Sequence, residues 1–103
     1  MANISLDQER VAAYCRRWKT AELAFFGSVL RDDFAADSDV DVLVRFTSDA
    51  KHGLFDLVRM QEELKEILGR EVDLVEWSAI EKSRNYIRRK AILSSAETIY
   101  ATR

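Results

Sequence analysis

The sequence predicts a mixed α/β (α+β) domain, a small mixed β-sheet of about three strands flanked by helices, and three observations predict it. Val40 to Phe46 alternates, with Val40, Val42, Val44 and Phe46 on one face and Asp41, Leu43 and Arg45 on the other. Leu57, Met60, Leu64, Ile67 and Leu68 recur instead at helical spacing and form one apolar stripe. Two further apolar runs, Glu22 to Phe26 and Glu71 to Trp77, have the length of strands rather than helices. With 103 residues, no proline and no repeat or low-complexity stretch, residues 1–103 read as a single domain.

In chain order, Ser5 is the expected N-cap of a first helix, with Gln8 three residues on. Val11, Tyr14, Cys15 and Trp18 make its buried face, and it ends near Lys19. The strand Glu22 to Phe26 is stopped by Gly27, and Ser28 to Arg31 has room for one helical turn. The strand Val40 to Phe46 follows, then a helix over Gly53 to Leu68 closed by Gly69, then the strand Glu71 to Trp77. Ser78 with Glu81 resembles a capping box that opens a short turn, and Asn85 to Tyr100 carries a weaker helical pattern through Ile92, Ala96, Ile99 and Tyr100. A strand, long helix, strand order predicts a parallel crossover between the second and third strands. The roughly dozen residues between the first two strands are too few for a crossover with a full helix, which predicts an antiparallel pair. That topology gathers Gly27, Ser28, Asp39, Asp41 and Asp73 at one edge of the sheet.

Composition narrows the function. Sixteen basic against 18 acidic side chains leave a net charge of −2, which argues against direct nucleic-acid binding, since neutralising phosphates requires a basic excess. The single cysteine, Cys15, cannot form an internal disulfide and reads as a small hydrophobe on a helix, which suits a reducing compartment. No apolar run approaches a membrane span and Met1 to Arg10 lacks the order of a signal peptide, so no membrane association and a cytoplasmic location are expected. A domain of this size has no room for a second one to hold a large acceptor.

The chemistry concentrates between residues 27 and 41. Asp39 and Asp41 are two apart, so on a strand their carboxylates share a side. Like charges so placed repel unless a cation lies between them. Mg²⁺ is suited to this arrangement, because it takes one or two protein carboxylates and completes its shell with water and substrate phosphates. Asp73 on the neighbouring strand completes a set sufficient for two Mg²⁺ ions, one on the triphosphate and one on the attacking hydroxyl. Gly27 permits a sharp turn and close backbone approach, and Ser28 offers a hydroxyl and helix-opening N–H groups to phosphate oxygens. Arg31, one turn on, adds a fork of donors, so the segment reads as a triphosphate cradle facing a metal site.

Gly27-Ser28, ten residues, then Asp39-x-Asp41 resembles the signature of the DNA polymerase β-type nucleotidyltransferase superfamily. Arg31, Asp33, Phe34 and Ser38, with Leu54-Phe55-Asp56-Leu57, Glu62-Glu63-Leu64 and Gly69-Arg70-Glu71-Val72-Asp73-Leu74-Val75, are similar to its minimal nucleotidyltransferase branch. The resemblance implies a polymerase β-like core and Mg²⁺-dependent transfer of a nucleotide from ATP or another NTP to a hydroxyl, with pyrophosphate released. It implies that Gly27, Ser28, Arg31 and Ser38 handle the nucleotide and that Asp39, Asp41 and Asp73 are the catalytic metal ligands. It also implies a partner, because minimal members often serve as antitoxins to a HEPN-domain ribonuclease toxin, which some inactivate by transferring AMP to a tyrosine. Asp32 departs from the pattern, standing where such proteins commonly have Gly, which motivates a rival reading as an antitoxin that neutralises by binding alone. A third reading is a subunit acting on a small hydroxylated acceptor such as an aminoglycoside.

The remaining polar and aromatic features read as structural. His52, the single histidine, precedes a helix and is expected in a loop or capping role. Arg84, Arg88, Arg89 and Lys90 read as a solvated helix face, and Trp18, Trp77 and Tyr86 as packing residues.

Overall fold

The computed structural model describes residues 7–27 and 39–101. The expectations placed on Ser5, and on the helical turn from Ser28 to Arg31, lie outside the described residues. Helix α1 (Gln8–Arg17) is capped by Asp7, whose carboxylate accepts from the Arg10 N–H at 3.2 Å, and it buries Val11, Tyr14 and Cys15. Lys19, at φ 55°, turns the chain out of the helix. Strand β1 (Thr20–Phe26) begins two residues before the apolar run suggested, because Thr20 and Ala21 are buried as well. Strand β2 (Val40–Phe46) has the bounds its alternation predicts.

Helix α2 (Leu54–Leu68) starts at Gly53, whose N–H donates to the Asp56 carboxylate at 2.9 Å, and ends at Gly69 in the left-handed region at φ 69°. Strand β3 (Val72–Glu76) leads directly into helix α3 (Trp77–Glu81). Glu76 rather than Ser78 occupies the N-cap position, and the Ser78 hydroxyl donates back to the Glu76 carboxylate at 2.9 Å. The single helix expected over Asn85 to Tyr100 is instead helix α4 (Tyr86–Ser95) followed by strand β4 (Glu97–Ala101). Ala96 breaks the helix at ψ 137°, and Thr98 and Tyr100, types that favour pleated surfaces, pair with Ala24 and Leu23 on the open edge of β1, with Ile99 at a register shift between them. The sheet among the described residues therefore has four strands rather than about three, a tertiary pairing that helical periodicity had obscured.

Its order is β3-β2-β1-β4. β1 runs antiparallel to β2 and β2 runs parallel to β3, as the connection lengths predict, and β4, whose strand the helical period concealed, runs antiparallel to β1. One face packs Val40, Val42, Val44, Leu23 and Phe25 against α1 and α2 through Tyr14, Met60 and Leu64. The other packs Ala24, Phe26 and Leu43 against α3 and α4 through Ile80, Ile92 and Leu93. Both faces are thus covered near the middle, which is why β2 is almost wholly apolar between Val42 and Val44. The buried Tyr14 hydroxyl donates to the Met60 carbonyl at 3.0 Å, and burial pushes its phenol above the ordinary value, so it remains a donor.

His52 holds the β2–α2 connection. Its Nε2 lies 2.6 Å from the Trp18 carbonyl, so it acts there as donor, and its ring packs 4.7 Å from Phe46 between ring centroids. Trp18, half-buried, donates its indole N–H to Glu63 at 3.1 Å. Cys15 is buried and free. Among the described residues no helix is long and apolar enough to cross a membrane.

Candidate active site

Strand direction decides what meets at the sheet edge. β1 runs toward that edge and ends there, while β2 and β3 both start from it, so Phe26 pairs with Asp41 and Asp41 pairs with Asp73. Residues directly opposite in a ladder point to the same side, and so do residues two apart on one strand. Asp39, Asp41 and Asp73 therefore share one side, that of Leu43 and Val75, beyond the margin of the α3/α4 cluster. The Val40 N–H donates to the Glu71 carbonyl at 2.9 Å and ties the starts of β2 and β3 together. Asp39 and Asp73 are exposed and Asp41 is half-buried.

Gly27 closes the arrangement from the end of β1. It has φ +74°, a conformation that favours glycine, and a Cβ built there would overlap the Asp41 Oδ2 and lie 3.3 Å from its Cγ. The absence of a side chain is what lets the turn after β1 lie against the Asp41 carboxylate. This glycine was legible as a turn. Its contact with Asp41 was not, because it depends on the antiparallel register of β1 and β2.

The structure thus brings together four of the seven residues singled out from sequence: Gly27, Asp39, Asp41 and Asp73. Ser28, Arg31 and Ser38, like Asp32, lie outside the described residues. Gln61 is a supporting residue the sequence did not flag. Its side-chain oxygen accepts from the Leu74 N–H at 3.1 Å and so satisfies the outer edge of β3 next to Asp73. The available signal was an uncharged polar residue at helical spacing between Leu57 and Leu64, in line with the apolar stripe.

As their side chains lie, no three of the described His, Cys, Asp and Glu groups converge closely enough to hold a cation. The donor chemistry nonetheless fits Mg²⁺: hard carboxylate oxygens, in adjacent register, on an open edge with space for water and phosphate. Carboxylates on neighbouring strands need only side-chain rotation to close on a cation, whereas residues on opposite faces would need a new register. Bound there, such an ion neutralises a triphosphate and polarises an attacking hydroxyl.

Known proteins resemble this chain in sequence and in fold. A protein of Methanocaldococcus jannaschii, provisionally named protein adenylyltransferase MJ0435, is 33% identical over 78 residues, which cover 76% of this chain and 82% of that protein. A solved structure provisionally described as a minimal nucleotidyltransferase superimposes with a TM-score of 0.65 at 31% identity, covering 86% of this chain and 85% of the other. The fold is also that of a chain in a toxin–antitoxin complex crystallised with AMP-PNP, with a TM-score of 0.69 at 17% identity over 95% of this chain and 76% of that one. A family model described as a nucleotidyltransferase domain matches residues 9–95, from within α1 to the end of α4, and the chain therefore belongs to the nucleotidyltransferase family.

Proposed function

We propose that this protein is an Mg²⁺-dependent protein adenylyltransferase, the antitoxin of a two-gene pair, which transfers AMP from ATP to a tyrosine of a HEPN-domain ribonuclease toxin. One observation carries the reading: Gly27 lies bare against the Asp41 carboxylate while Asp41 stands in register with Asp73, so a glycine turn and a carboxylate pair meet at one sheet edge. Asp39 and Asp41 would hold Mg²⁺ for the triphosphate, and Asp73 would hold Mg²⁺ for the acceptor hydroxyl and accept its proton. Ser28, Arg31 and Ser38 contact the nucleotide. The acceptor oxygen attacks the α-phosphorus of ATP, and the bond to the β,γ-pyrophosphate breaks. Support for a protein acceptor comes from the name of the M. jannaschii relative, and for a toxin partner from the toxin–antitoxin complex that shares the fold. The place of the candidate site on an open sheet edge also leaves room for an acceptor carried by another molecule.

The test mixes the purified chain with Mg²⁺, ATP and the protein encoded by the neighbouring reading frame, then reads the intact mass of that protein. An AMP adduct on tyrosine is expected with the wild type and none with the Asp39→Ala, Asp41→Ala double variant. No adduct with wild type, or equal adducts with both, would overturn the reading.

A further inference from the structure

Three of the large hydrophobic side chains most exposed among the described residues sit together at the start of α2: Leu54 at 76%, Phe55 at 83% and Val58 at 52% exposure. Val58 also lines a groove of about 670 Å³ between α1 and α2, with Ala13 and Ile67 on its apolar part and Arg59, Glu62 and Glu66 on its walls. Phe55, Arg59, Glu62 and Glu66 follow at helical spacing and form one outward stripe, apolar then basic then acidic. Neither Arg59 nor Glu66 has an ion-pair partner among the described residues, and Glu62 meets only Lys65 of its own helix, at 3.3 Å.

We infer that this stripe and groove pair two copies of the chain about a two-fold axis. A closed two-fold interface must be self-complementary, with residue i of one copy meeting j of the other and j meeting i. Antiparallel packing of α2 on its symmetry mate achieves this when Arg59 of each copy faces Glu62 of the other at the axis. Phe55 then faces Glu66 and the mouth of the partner copy's groove, where Ile67 and Ala13 receive the ring. A partner of one dominant charge would meet like charges somewhere along the stripe, since both signs stand within two turns of each other. α2 packs on the sheet face opposite the three aspartates, so pairing leaves both candidate active sites open. The inference is independent of the proposed transfer reaction.

Sedimentation velocity of the full chain, from low micromolar to submillimolar concentration, tests it. The wild type is expected to pass from monomer to dimer and no further. Phe55→Glu should abolish dimer formation while circular dichroism stays unchanged, an exposed position being tolerant of charge. Arg59→Glu and Glu62→Arg should each raise the dissociation constant about tenfold or more, and the double variant should restore it, because each copy then carries both reversed charges. A monomer at every concentration, open-ended assembly, a Phe55→Glu dimer, or failure of the double variant to recover would overturn the inference.

Discussion

Gly27 is the residue on which the candidate site turns. Gly27→Ala puts a methyl where the Asp41 carboxylate lies and forces it to adopt a positive φ that costs an alanine about 1–2 kcal/mol. The carboxylate is the mobile partner, so much of the damage falls on the site. Nucleotide transfer is expected to fall by at least about tenfold, with a loss of about 1–2 kcal/mol in urea unfolding. Near-wild-type transfer would show that the Gly27–Asp41 approach is dispensable. Cys15 gives a second prediction, on pH. Burial pushes its thiol from 9.0 up to about 12, so the folded chain keeps a proton that the unfolded chain releases. Its contribution is complete below the unfolded value and is lost as pH rises toward the folded one. Stability should decline above about pH 9, by up to about 1.4 kcal/mol per pH unit, and the decline should be shallower in Cys15→Ala. Parallel slopes for the two proteins in urea titrations would assign the effect elsewhere.

At the scale of elements, the middle of β3 is held from outside by α2. β3 is an edge strand, and the Gln61 side chain accepts from its Leu74 N–H where no further strand does. Gln61→Leu keeps the volume and leaves that N–H without its partner, at a cost of about 1–3 kcal/mol. Because Leu74 adjoins Asp73, amide exchange at residues 73–75 should speed up more than exchange in β1, which hydrogen-deuterium exchange can read. A uniform acceleration over all strands would mean that Gln61 merely adds to global stability. The same scale shows why β4 was missed. Ile92, Ala96, Ile99 and Tyr100 satisfy a helical period, yet Ile99 and Tyr100 pack on the α1/α2 side from a strand with an irregular register against β1. The covering of β1's exposed edge outweighs a weak local period, since an unpaired buried N–H costs more than propensity differences supply.

For the whole molecule, the proposed seating of Mg²⁺ and ATP on the carboxylates at one sheet edge is a ligand that only the folded chain can hold, since the edge exists only in the folded register. Mg²⁺ with ATP should therefore raise the melting temperature, by about 10 °C or more at concentrations a hundredfold above the dissociation constant. Asp41→Asn removes one of the proposed carboxylate ligands, so the increment from Mg²⁺ and ATP should shrink. An equal increment in both proteins, followed by differential scanning fluorimetry, would overturn the proposed role of Asp41 as a metal ligand.

Sequence alone determined the strand alternation of Val40–Phe46, the stripe and glycine stop of α2, the direction of the β1–β2 and β2–β3 pairs, and the family signature through Gly27, Asp39 and Asp41. These are local patterns, set by side-chain period, by the few residues able to take positive φ, and by the length of chain between strands. Tertiary structure decided that Asp73 stands opposite Asp41, that Gly27 lies against that same carboxylate, that Gln61 secures β3, and that the chain's last apolar residues form a strand. Each depends on register between segments distant in sequence, and register is fixed only when both faces of the sheet are packed and every backbone donor at its edges has found an acceptor.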